Sequence, residues 1–263
     1  MKTNNPIGIF DSGVGGTSIW KEIHSLMPWE DTVYLADSIN APYGQKSSEE
    51  IIALSIKNTE QLISFGAKII VVACNTATTN AIQILRKTFN LPIIGIEPAI
   101  KPAALQTKTG QIGILATKGT LRSSLFSKTS ELFTQNIKVT EIVGEGLVNL
   151  IEKGKIDSAE MTELLKCYLK PMIEANIDYL VLGCSHYPYL IPQIKNILPN
   201  GITIIDSGEA VAIQTKNILA DIFALETKQR IPFLQFYSNS SLNVLEELLK
   251  PFKNRSEFSY LDF

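Results

Sequence analysis

The chain has 263 residues, of which 45% are hydrophobic and 19% charged, and a formal net charge of -2. That apolar share supports one large core or two domains of about 130 residues. A near-neutral balance without a block of Lys and Arg supplies no basic field for nucleic acid or an anionic membrane. Three cysteines and two histidines make neither a disulfide framework nor the spaced ligand set of a structural zinc site, so no metal is expected. The opening MKTNNPIGIFDSGVGG reaches Gly and Asp too early for a signal segment, and no apolar run approaches the eighteen or so residues of a membrane span. A cytoplasmic protein is expected.

Short β-branched runs alternate with longer segments of helical period, the pattern of βα units. The first strand, Ile7–Phe10, runs into Asp11-Ser12-Gly13-Val14-Gly15-Gly16-Thr17, a turn whose backbone N–H groups and following helix N-terminus can receive an anion. It is neither G-x-G-x-x-G nor a P-loop, and no Lys closes a strand as a Schiff-base partner would, so the chemistry reads as cofactor-free. His24 falls on the next helix, as an exposed residue. Thr32–Leu35 follows, then Asp37 and Ala41-Pro42-Tyr43-Gly44, where the Tyr43 ring reads as packing under a turn.

The third strand, Lys68–Ala73, ends at Cys74-Asn75-Thr76, and the fourth is Pro92–Ile96. Beyond Pro98–Lys108 come strands Gln111–Ala116 and Ile137–Ile142, then GEGLVNLIEKG with Glu152. Cys167, in LLKCYLKPMI, has helical surroundings and reads as a packing residue. The seventh strand, Tyr179–Leu182, leads to Gly183-Cys184-Ser185-His186, and the eighth is Ile202–Ile205. Gln214–Phe263 adds a helix, an apolar strand in IPFLQFYS and a further helix.

The first four strands resemble the second four at offsets of about 105 to 110 residues, as in a duplicated half. The predicted fold is therefore α/β: two pseudo-symmetric doubly wound domains with mainly parallel sheets and the active site in the cleft between them. Residues 1–98 with 210–263 make the first, discontinuous domain and residues 99–209 the second. Ligands of such sheets bind outside the carboxyl ends of the strands, which is where the repeat puts Cys74 and Cys184.

A lone cysteine is most often a small hydrophobe. This pair differs, because each ends an apolar strand and is followed by residues suited to capping a helix, Asn75-Thr76 and Ser185-His186. A helix N-terminus can lower a thiol pKa from about 8.5 towards the working range. Two tuned thiols on opposite faces of one carbon are what a stereoinversion needs, one removing a proton and the other delivering one. Asp11, Glu152 and His186 are the candidates to hold or relay protons beside them.

Four motifs, Asp11-Ser12-Gly13-x-Gly15-Gly16, Ala41-Pro42-Tyr43-Gly44, Ala73-Cys74-Asn75-Thr76-Ala77 and Gly183-Cys184-Ser185-His186-Tyr187-Pro188, together resemble the bacterial glutamate racemases of the aspartate/glutamate racemase superfamily. The likeness runs from Ile7 to about Ala212. It implies cofactor-independent interconversion of L- and D-glutamate, supplying D-glutamate for peptidoglycan, and a homodimer. It further implies that Cys74 takes the α-proton of D-glutamate with Asp11 in support, and Cys184 that of L-glutamate with Glu152 and His186. Substrate contacts would come from Asp11, Ser12, Pro42, Tyr43, Gly44, Cys74, Asn75, Thr76, Thr117, Thr120, Ser185 and His186.

The chain departs from the family pattern in Ser185, where Thr is usual, and in the Gly-rich GEGLVNLI before Glu152. With six residues ahead of the first strand, an activator site built on an N-terminal extension is expected to be missing. Two other readings stay open on the residues alone: a racemase for aspartate or another amino acid, and a two-lobed protein that closes on an anionic amino acid without turning it over.

Overall fold

The β-branched runs form strands because their side chains fit a sheet covered on both faces. In the computed structural model, which describes residues 5–222 and 224–263, ten strands build two parallel sheets. The first four residues of the segment judged for a signal sequence lie outside the described residues. The strands are β1 (Ile7–Asp11), β2 (Thr32–Ala36), β3 (Ile69–Val72), β4 (Ile93–Gly95), β5 (Gln111–Ala116), β6 (Lys138–Val143), β7 (Tyr179–Gly183), β8 (Thr203–Ile205), β9 (Leu234–Ser238) and β10 (Ser256–Tyr260).

Sheet order is β10-β9-β2-β1-β3-β4 in the first sheet and β6-β5-β7-β8 in the second, with every pairing parallel. The internal repeat is therefore visible in topology: β2-β1-β3-β4 and β6-β5-β7-β8 are the same order, with Cys74 and Cys184 after corresponding strands. The helices are α1 (Thr17–Leu26), α2 (Ser48–Ser64), α3 (Asn75–Thr88), α4 (Ile100–Gln106), α5 (Lys118–Leu121), α6 (Ser124–Phe133), α7 (Leu147–Glu152), α8 (Ala159–Glu174), α9 (Ile191–Ile197), α10 (Gly208–Asp221) and α11 (Asn243–Leu248). Among the described residues no helix is long and apolar enough to cross a membrane.

The C-terminal segment contributes two strands where the sequence reading placed one. β9 pairs with β2 and β10 pairs with β9. β10, SEFSY, escapes an apolar-run reading because it is a half-exposed edge strand that sends mainly Phe258 inward, stacked on Phe236 at 5.2 Å between ring centroids. Phe236 also meets Trp20 edge-on at 4.8 Å, and the Trp20 indole donates to Thr32 Oγ1 over 2.9 Å.

Two single-residue expectations are corrected. His24 is half-buried, not exposed; it stacks on Trp20 at 5.0 Å, so its apolar ring face replaces solvent. Cys167 is exposed rather than packed. The buried stripe of α8 is Met161, Leu165, Leu169 and Met172, and Cys167 lies midway between Leu165 and Leu169, on the opposite face of the turn.

Phe236 is fully buried at the centre of this aromatic cluster, so Phe236→Ala is expected to cost about 3 to 5 kcal/mol of stability. Chemical denaturation checks this, and a loss below about 1 kcal/mol would show that the C-terminal strands hold without the cluster.

Candidate active site

Cys74 leaves β3 in extended backbone and is itself the N-cap of α3: its Sγ accepts the Ala77 N–H at 3.4 Å. The capping duty therefore falls on the thiol and not on Asn75 or Thr76, which are the first two helical residues. The Cys74 thiol donates to Ser12 Oγ at 3.5 Å, and Ser12 Oγ in turn faces Asp11 Oδ1 at 3.5 Å. Asp11 thus reaches Cys74 through a hydroxyl. The expected lowering of this thiol is overturned: burial pushes Cys74 well above the ordinary thiol range and the Asp11 charge adds to it, against weaker opposing bonds from Ser12 and the Ala77 N–H. These surroundings favour the protonated form of Cys74.

The second thiol has a different setting. After β7 the chain makes a turn through Ser185 and His186 into a short 3-10 helix, Tyr187–Leu190, so neither residue caps an α-helix here. Ser185 Oγ instead donates to Asp11 Oδ1 at 3.2 Å, crossing from the second half to the first. Cys184 Sγ lies 3.8 Å from His186 Nδ1, and His186 Nε2 lies 2.6 Å from Glu152 Oε1. The Gly15 N–H also faces Nε2, at 3.2 Å, a contact open only to an unprotonated nitrogen; the shorter approach of the carboxylate fixes a proton on Nε2. Nδ1 then faces Cys184, with Asp11 Oδ2 at 3.9 Å.

Glu152 reaches this point because α7 is short and its Leu147, Val148, Leu150 and Ile151 are buried, which leaves the last residue to project across the cleft. Gly146, ahead of α7, sits at φ +82°, a left-handed conformation that accounts for a glycine in GEGLVNLI. The anion received by the Gly-rich turn is a side chain of this protein: the Val14 N–H donates to Glu152 Oε1 at 2.7 Å, while the Gly16 N–H donates to Asp11 Oδ2 at 2.7 Å. A Cβ on Gly13 would lie 2.0 Å from Glu152 Oε1, and one on Gly15 would lie 2.2 Å from His186 Nδ1. These glycines make room for the second half's catalytic candidates.

Both thiols line one cavity of about 10 Å³, together with Ser12, Pro42, Tyr43, Gly44, Asn75, Thr76, Thr117, Val148, Ser185 and His186; that is about one water's worth of space. Beside it lies a groove of about 560 Å³ that shares Pro42, Gly44, Thr117 and Val148. Asn75 is buried, and neither its amide nitrogen nor its amide oxygen has a partner among the described residues. Thr76, Thr117 and Thr120 hydroxyls bond one another across the cleft at 2.8 to 3.2 Å. The Tyr43 hydroxyl donates to buried Asp37, so its ring does anchor the Pro42–Gly44 turn.

Of the predicted residues, Asp11, Thr120 and Glu152 stand behind the cavity wall rather than in it. Sequence reasoning missed Val148 in that wall and Ser38, whose Oγ donates to Glu152 Oε2 at 2.8 Å. Ser38 had one available signal, its place two residues past the carboxyl end of β2.

Burial works against charge on His186, but its bonds to Cys184 and Glu152 and the charge of Asp11 outweigh burial and raise it well above the ordinary imidazole range. A folded-state pKa above the unfolded one stabilises the fold fully below about pH 6.5, and that contribution is lost as pH rises through the folded value. The stability advantage of wild type over His186→Asn is therefore expected to be largest below about pH 6.5 and to shrink towards alkaline pH. Urea unfolding at stepped pH measures it; an advantage that grows with pH would contradict the charged imidazole.

The chain has counterparts among known proteins. The family model described as Asp/Glu/Hydantoin racemase matches residues 19–215. A glutamate racemase of Ectopseudomonas mendocina is 41% identical, covering 93% of this chain and 93% of its own. The solved glutamate racemase of Escherichia coli, in complex with L-glutamate and the activator UDP-MurNAc-ala, superposes with a TM-score of 0.85 at 30% identity over 98% of both chains. That of Francisella tularensis, in complex with D-glutamate, superposes at 0.83 with 29% identity over 99% of this chain and 97% of that one. With the model matched over most of its length and the same fold carried by these relatives, the chain belongs to the Asp/Glu/Hydantoin racemase family.

Proposed function

We propose that this protein is a cofactor-independent glutamate racemase in which Cys74 and Cys184 act as the two bases. The observation that carries the reading is that two thiols, one from each copy of the repeat, line a single cavity into which the unpartnered amide of Asn75 is also buried. Relatives solved with L-glutamate and with D-glutamate indicate the substrate.

With L-glutamate in place, a thiolate at Cys184 removes the α-proton, and the Cys74 thiol delivers its own proton to the opposite face of the resulting carbanion. The product is D-glutamate, with Cys184 protonated and Cys74 ionised; the reverse reaction restores the start. The surroundings of the two thiols suit the L-to-D direction: burial favours the protonated form of Cys74, and His186, raised well above the ordinary imidazole range, stands beside Cys184. Asn75, the Thr76 and Thr117 hydroxyls, Ser12, Ser185 and the Pro42-Tyr43-Gly44 turn are placed to take the carboxylates and ammonium group, with Thr120 bonded to the two threonines from behind. A cavity of about 10 Å³ is too small for an amino acid, so the halves separate to admit it. The division into residues 1–98 with 210–263, and 99–209, is the rigid-body pair this motion calls for. A cytoplasmic homodimer supplying D-glutamate for peptidoglycan completes the reading.

Purified protein incubated with L- or D-glutamate in heavy water, without added cofactor, is expected to lose optical rotation and incorporate α-deuterium from either enantiomer. Absence of both changes would refute the reading, and exchange confined to aspartate would reassign the substrate. Cys74→Ala and Cys184→Ala are each expected to lower turnover by ~10²- to 10⁴-fold or more, with unchanged circular dichroism.

A further inference from the structure

We propose that Ser38 is a positioning residue for the relay to Cys184: from the first half of the protein it holds the Glu152 carboxylate in the orientation that engages His186, so the relay is complete only when the cleft is closed. The inference rests on the racemase reading above and adds a residue to it.

Glu152 belongs to α7 and His186 follows β7, both in the half built on the second sheet. The two groups that fix the carboxylate come from the other half: the Val14 N–H on Oε1 at 2.7 Å and the Ser38 hydroxyl on Oε2 at 2.8 Å. With Oε2 taken by Ser38, Oε1 is turned to the imidazole Nε2 at 2.6 Å. A charge-assisted bond of this kind is roughly twice as strong as a neutral one. The Glu152 side chain keeps 13% of its surface exposed, so without Ser38 it has solvent to rotate into.

Ser38 is itself held from both sides. The Asn239 amide, beyond β9, donates to Asp37 Oδ1 at 2.6 Å and accepts the Ile39 N–H at 3.0 Å. The Asn40 amide also donates to Asp37 Oδ1, at 2.7 Å. The loop is thereby tied to the first sheet, and Ser38 carries its hydrogen bond to the half that holds Glu152. The ionisable groups facing His186 are Glu152, Asp11 and Cys184, and Ser38 acts through the first.

The test compares Ser38→Ala and Ser38→Thr with wild type. With two histidines in the chain, His186 is assigned in the NMR spectrum by its loss in His186→Asn. In Ser38→Ala the His186 titration is expected to drop by about one pH unit as Glu152 turns away. The turnover number should fall about tenfold with KM changed less than twofold, and the isotope effect with α-deuterated L-glutamate should rise. Ser38→Thr, which keeps the hydroxyl, is expected to restore the titration and most of the turnover. An unmoved His186 titration in Ser38→Ala overturns the proposal, as does equal loss in both variants. If wild type fails to racemise glutamate, the function reading falls, while the His186 titration still decides the role of Ser38.

Discussion

The docking of Glu152 and His186 against the glycine turn after β1 is the contact on which the rest of the site depends. It joins the two halves at the place where their sheets present their carboxyl ends, and it is possible because Gly13 and Gly15 have no side chains. A single methyl on either would stand 2.0 to 2.2 Å from the incoming carboxylate or imidazole, well inside van der Waals contact. Turn, carboxylate and imidazole therefore form one fitted unit, and the thiols are positioned relative to that unit.

The charges in this small volume explain why the site is asymmetric although its scaffold is duplicated. Asp11 is fully buried, and burial raises its carboxyl, opposed by His186 and the Gly16 N–H. It lies on the Cys74 side through Ser12, where its negative charge helps keep that thiol protonated. His186 and Glu152 lie on the Cys184 side. The repeat supplies two equivalent strand ends, and the residues added around them give the two thiols different neighbours.

Much of this was legible in the chain. Eight strands follow from β-branched runs, the duplicated order follows from IGIF against IGIL and from the matched cysteine segments, and most residues lining the thiol cavity fall in the four motifs, Thr117 and Val148 being outside them. What could not be read depends on tertiary context. β10 is an edge strand whose one main inward ring, Phe258, leaves too weak a pattern. The Cys74 thiol looked lowered because a helix N-terminus was visible in sequence, whereas its burial and the nearness of Asp11 were not. The glycine turn announced an anion site, but nothing local said that the anion would be Glu152, 138 positions away in the chain. Ser38 carries no motif of its own, and its role exists only through contact with the opposite half.

The most direct test of two thiols acting on opposite faces of one carbon is a crystal structure of this protein with D-glutamate bound. The account predicts the α-carbon between the Cys74 and Cys184 sulfurs, each within contact distance and on opposite faces, with Glu152 still bonded to His186 and to the Val14 N–H. Both sulfurs on one face of the α-carbon, or either one out of reach of it in the closed complex, would contradict it.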